Sequence, residues 1–294
     1  MKLEAGINRT VNAEWTSIKN LLRQSFSDYT DVGACPSMSL SDLMVSYKNS
    51  FENSNTDIVT TNLPGCRNLM IRESIYLAHK AGALLRSYSQ DVDNDNQTYA
   101  EISAYTASFF LARSISIILG CYMPTEDINS TYWLLDNRES RNSTTAKLIK
   151  VGKGRPGHAH VWNLLKVLIS KTRSTPFDRE FVTFITDLAT PDFSKVRHVL
   201  QYNNCAWIYE DLHLFQADDK EWIVPFNSNI YTNADPDDDS GHFSVILSLM
   251  LLRNYDLILK DLSQGISTLE KERKFILENV EYSDNVLLTQ SWLI

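Results

Sequence analysis

Residues 99–120 read YAEISAYTASFFLARSISIILG. The segment is apolar almost all the way round a helix and carries one charge deep in its length, Arg113. A helix without a polar face belongs at the centre of a bundle, so this stretch predicts a mainly α protein, a multi-helix bundle built around it. Its portion 102–119 approaches the shortest membrane spans in length. Arg113 and the hydroxyls of Ser103, Thr106, Ser108, Ser114 and Ser116 predict a buried helix instead, and no membrane association. Burying a guanidinium unpaired is costly, so Arg113 requires a carboxylate or several carbonyls beside it.

The same kind of periodicity extends outward on both sides. Residues 67–88 predict a long helix that pairs antiparallel with the central one across the acidic, Asn-rich loop QDVDNDNQ. Trp15, Ile18, Leu22 and Phe26 recur at helical spacing and predict a helix over 13–28, with Asn12 as its cap. Leu40, Leu43, Met44, Tyr47 and Phe51 predict a second, ended by the polar stretch ENSNTDIVTTNLPG. After Met123 the text is irregular, and Trp133, Leu134 and Leu135 pin a loop to the core. Helices follow over 156–171, 177–188 and 192–214, the first opened favourably by Pro156. Residues 214–226 predict a short hairpin turning at Asp218, Asp219 and Lys220, and 227–241 a loop. Residues 242–262 and 266–280 predict closing helices separated by Gly265. No βαβ alternation is present. The expectation is one unit over 1–294: N-terminal helices in 1–65, a core in 66–215, and the hairpin and helices in 216–294.

Composition narrows the function classes. A chain of 294 residues with 43% hydrophobic content can bury about three quarters of its unfolded surface without staples. The net charge of −8 opposes a surface coated for DNA, so any nucleic-acid site is confined to a local basic patch. Cys35, Cys66, Cys121 and Cys205 form no CxxC pair, encode neither zinc ribbon nor disulfide framework, and read as reduced thiols. The start, MKLEAGINRT, lacks the apolar region of a signal peptide. The sequons at Asn8, Asn96, Asn129 and Asn142 then read as polar loop sequence, and the expected location is cytoplasmic.

On the 67–88 helix, Arg72, His79 and Arg86 are seven residues apart. At about 100° per residue each step of seven falls only about 20° short of two full turns, so all three share one stripe. Such a stripe suits a phosphodiester: imidazole moves a proton while guanidinium groups hold the phosphate and its developing charge. The plainer alternative is an exposed basic stripe on a surface helix, or a histidine satisfied against a carbonyl.

The segment RESIYLAH, with six residues between Arg72 and His79, and the helix pair it opens resemble the HEPN superfamily, helical domains of prokaryotic toxins and phage-defence proteins. The resemblance spans about residues 66–215. It implies metal-independent RNA cleavage at a dimer interface, with Arg72 on phosphate and His79 in proton transfer. The chain departs from that pattern at Glu73, where the family often has Asn, Asp or His, and in placing the motif on an earlier helix. Many relatives in that superfamily are catalytically inert.

Other motifs are weaker. Arg155-Pro-Gly-His-Ala-His160 offers a second Arg/His spacing at a helix start, but His158 and His160 diverge by about 200° and cannot share a metal on a helix. Gly152, Gly154 and Gly157 have GxGxxG spacing with Lys147, Lys150, Lys153 and Arg155 around them. A dinucleotide site also needs a βαβ unit, so a phosphate or RNA contact through Lys153, Arg155 and His160 is the expectation. Asp235, Asp237 and Asp239 imitate a calcium loop without its closing glutamate. Arg197 and His198 point about 100° apart. No familiar enzyme motif appears and no cofactor is implied. The expectation is an RNA-binding HEPN-like protein that cleaves through Arg72 and His79, assisted by Arg86, as a homodimer. The alternative is a non-catalytic helical adaptor for a protein partner.

Overall fold

The computed structural model describes residues 6–25, 38–94, 96–124, 131–138, 144–152, 157–189 and 242–280. Along the chain these residues form β1 (Ala13–Glu14), α1 (Trp15–Ser25), α2 (Leu40–Ser46), a 3₁₀ turn (Lys48–Ser50), β2 (Ile58–Asn62), α3 (Cys66–Asp93) and α4 (Gln97–Ile118). After α4 come β3 (Cys121–Tyr122), β4 (Tyr132–Asp136), β5 (Thr145–Gly152), α5 (His158–Lys171), β6 (Thr172–Arg173), α6 (Arg179–Asp187), α7 (His242–Leu262) and α8 (Ser267–Val280). The described chain is therefore mainly helical, and none of its helices is long and apolar enough to cross a membrane.

The decisive segment lies where its composition sends it. Along α4, Ala104, Ala107, Ala112, Ile115 and Ile118 are fully buried against α3 and α7. Small residues let α3 and α4 approach closely, and they are antiparallel: Ser74 lies beside Ser114 while Tyr88 lies beside Glu101. Which charge is buried differs from expectation. Arg113 is half-buried and lies where its charge acts on Glu73, whereas Glu101 is 5% exposed. The start of α7, through Ser244, covers the first turns of α4, and long-range packing of that kind is invisible to periodicity.

The main departure is a sheet. β2, β5, β4 and β3 form one four-stranded antiparallel sheet in that order, where irregular text and loop were expected except at 147–151, which also admitted a strand. Its two inner strands, β4 and β5, feed apolar side chains to both faces: Leu134, Ile149 and Val151 join the main helical core, while Trp133, Leu135, Ala146 and Leu148 join a second cluster with Leu40, Met44, Phe51 and Met70. Doubly buried strands read as continuous apolar runs without alternation. The two-residue strands β1 and β6 pair in parallel separately. The region of the expected 192–214 helix, the 214–226 hairpin, the 227–241 loop and the Asp235–Asp239 motif lies outside the described residues, as do Arg197 and His198.

Two junctions set the geometry. Gly265, at φ +75°, turns the chain from α7 into α8 in the left-handed region open to glycine. Gly120, at φ +96°, ends α4, and an added Cβ would lie 2.5 Å from Arg138 Cγ. Asp136 and Arg138 form a buried bidentate pair at this point, with Nε to Oδ1 and a terminal nitrogen to Oδ2 both at 3.0 Å.

Candidate functional site

α3 runs unbroken through the predicted stripe, and its exposed strip lies beside α8. Arg72, His79 and Arg86 share this face and all three are half-buried. Between them Tyr76 is 43% exposed, and on α8 Phe275 is 55% exposed. Lys80 Nζ lies 4.6 Å from the Tyr76 ring centroid and 5.7 Å from that of Phe110 on α4, so the face carries a cation held between aromatic rings. Lys271, exposed one turn before Phe275, adds a further cation.

His79 is not a free base. Its Nε2 is 2.7 Å from Glu272 Oε2, and its ring lies 5.2 Å from that of Phe275. A carboxylate accepts, so Nε2 carries the donated proton, and in the neutral ring Nδ1 then holds the lone pair. That Nδ1 is sealed from solvent with no hydrogen-bond partner. A carboxylate that orients an imidazole is half of a general-base arrangement, but the nitrogen that would receive a proton faces protein.

Glu73, the residue that departs from the HEPN pattern, points elsewhere. It accepts a hydrogen bond from Leu40 N–H at 3.0 Å and so holds the first turn of α2. Burial pushes its carboxyl above the ordinary value, against the opposing pull of that hydrogen bond.

The second predicted patch is only partly described. His160 is half-buried in the first turn of α5, where its Nδ1 accepts from Gly157 N–H at 2.9 Å. His158 bonds the Tyr105 hydroxyl through Nδ1 at 2.8 Å and stacks on Phe109. The two histidines therefore serve different partners. Lys153 and Arg155 lie outside the described residues. β5 does precede this glycine-rich turn, but its neighbours β2 and β4 are both antiparallel to it, so the βαβ unit of a dinucleotide fold is not formed. Among the described residues no three His, Cys, Asp or Glu side chains converge as a metal site would require.

Of two further buried groups, Glu101 was not singled out in the sequence and Cys121 was read there only as a reduced thiol. Glu101 is enclosed with Oε2 unpartnered, and burial pushes its carboxyl up to about 8 against a hydrogen bond with Ser244. Cys121 lies beside the Asp136–Arg138 pair, and burial together with the Asp136 charge pushes its thiol well above the ordinary value. A charge in an otherwise apolar text was the only signal for Glu101, and Arg113 carried that signal equally well.

No family model, no curated protein and no solved structure matches this chain.

Proposed function

We propose that the chain is a HEPN-like helical protein of the prokaryotic defence type that binds single-stranded RNA along the face shared by α3 and α8 without cleaving it in its resting arrangement. The observation that carries this reading is the interleaving of exposed aromatic rings, Tyr76 and Phe275, with the cationic stripe of Arg72, Lys80, Arg86 and Lys271. Unpaired bases stack on aromatic rings while cations track the phosphates, and each stacked base contributes about 1–3 kcal/mol. The patch is local, as a chain of charge −8 requires. His79 has no nitrogen ready to take a proton from RNA, since one is engaged by Glu272 and the other is covered by packing.

Fluorescence anisotropy with a labelled single-stranded oligonucleotide tests the binding, and gel analysis of the recovered RNA tests the chemistry. The expected result is salt-dependent binding that weakens about tenfold or more in Tyr76→Ala/Phe275→Ala, with RNA intact after incubation with wild type and with His79→Ala. Absence of binding refutes the proposal and leaves the protein-adaptor reading. Degradation by wild type and not by His79→Ala refutes the non-cleaving part and makes Glu272 the orienting partner of a working base.

A further inference from the structure

We propose that β2 is a dimerisation strand that pairs antiparallel with β2 of a second copy of this chain, the twofold axis passing midway between the two facing Thr60 residues. The inference is independent of the α3 face.

The backbone register fixes which groups β2 offers. Lys150 N–H donates to Asp57 C=O and Leu63 N–H to Thr144 C=O, and the ladder between them pairs Val59 with Leu148 and Thr61 with Ala146. Alternate residues of a strand direct their backbone groups to opposite sides, so 57, 59, 61 and 63 bond β5. Ile58, Thr60 and Asn62 direct theirs to the free edge. β2 has no other strand neighbour among the described residues, and the Ile58 carbonyl is engaged only locally, by the Thr56 hydroxyl.

Edge strands are ordinarily protected by charge, proline or a bulge. Residues 58–62 read IVTTN, and their pairing with β5 is regular throughout. Ile58, Thr60 and Asn62 are exposed. The opposite edge, β3, has two residues and both are buried. Of the seven large hydrophobic side chains exposed among the described residues, Met38, Val45, Tyr47 and Ile58 belong to the stretch 38–58. Part of that stretch is tied to β2: Ser50 Oγ bonds Thr61 Oγ1 at 2.7 Å and donates to Tyr47 C=O.

A second copy satisfies this edge in one register. With Thr60 opposite Thr60, Ile58 meets Asn62 and Asn62 meets Ile58, so the pairs that exchange backbone hydrogen bonds across the axis all come from the outward-directed set, and the same patch serves both copies as an isologous interface requires. Threonine opposite threonine is a favourable cross-strand pair. Although the chain carries −8, no like charges meet: Asp57 falls opposite Leu63 and is already paired with Arg9 at 2.8 Å. Lys147, opposite Thr60 on β5, lies about 14 Å from its symmetry mate across three strand spacings, beyond the screening length at physiological salt.

Sedimentation velocity of the full chain across about 1–100 μM tests the pairing. Wild type is expected to shift with concentration toward twice its 33.6 kDa mass. Thr60→Pro removes only an outward N–H, so it should remain monomeric while keeping wild-type far-UV dichroism. Thr60→Lys and Thr60→Glu place like charges across the axis and should each be monomeric, whereas an equimolar mixture of the two should recover the dimer. A wild type monomeric throughout, Thr60 variants that dimerise like wild type, or a Lys/Glu mixture that stays monomeric would each overturn the proposal.

Discussion

Glu101→Gln isolates the effect of one carboxyl buried in the bundle. In the folded chain burial raises the Glu101 carboxyl from 4.5 to about 8. The folded state therefore keeps a proton that the unfolded state releases between these two values. Its contribution to stability is complete below about pH 4.5 and is lost as pH rises toward 8, at about 1.4 kcal/mol per pH unit. The accumulated loss is about 3 kcal/mol at pH 7 and roughly 5 kcal/mol above pH 8. Glutamine has nearly the same shape and no charge to release, so the variant should lack this slope. Its amide N–H groups must find acceptors near Tyr88 and Ser244, and one left unpaired costs about 1–3 kcal/mol at every pH. The expected outcome is a variant less stable than wild type at pH 5 and more stable at pH 8.5. Guanidinium unfolding midpoints followed by far-UV dichroism at half-unit intervals between these limits measure both curves. Parallel pH profiles for the two proteins would show that the folded chain accommodates an ionised Glu101, and the burial argument would fail.

Three further outcomes follow from single contacts. Gly120→Ala forces a Cβ to within 2.5 Å of Arg138 Cγ at φ +96° and should cost about 2 kcal/mol or more, read as a lowered denaturation midpoint. Arg138→Met strands Asp136 in the interior and should cost about 3–5 kcal/mol, most of which Arg138→Met/Asp136→Leu recovers; equal losses in both proteins would contradict this. A double-mutant cycle with His79→Ala and Glu272→Ala should give a coupling of about 1 kcal/mol in unfolding free energy, and zero coupling would release His79 from its assigned partner.

What could be read from the sequence divides by range. The α3–α4 pair was legible because its signal is local: a long periodic segment, a polar connection, and a second segment apolar all round. The Arg72, His79 and Arg86 stripe was legible for the same reason, since helical spacing alone puts three residues on one side. The partner of His79 was not, because Glu272 lies 193 residues away and nothing at either position announces the other. β4 was read as a pinned loop: YWLLD is buried on both faces and offers no alternation to detect. β2 failed for the opposite reason, as an exposed edge whose IVTTN resembles turn-forming polar text.

The helices with least polar character also face the hardest question of register, because an apolar cylinder can slide by a turn against its neighbour at little cost. In this bundle buried hydroxyls answer it. Ser74 Oγ donates to Ser114 C=O at 2.9 Å, Ser114 Oγ donates to Ser74 C=O at 2.8 Å, and the Tyr255 hydroxyl bonds Ser74 Oγ at 3.0 Å. A shift of α4 or α7 by one turn would leave each hydroxyl unpaired in the interior at about 1–3 kcal/mol apiece, more than the surrounding alanine contacts distinguish. This seam locks α3, α4 and α7 at one height, and Gly265 then sends α8 back along α3 so that Glu272 arrives at His79. The accessibility of the exposed face of α3 is thus determined from beneath: the same reciprocal hydroxyls that align the core also decide that the histidine meets a carboxylate before it can meet a ligand.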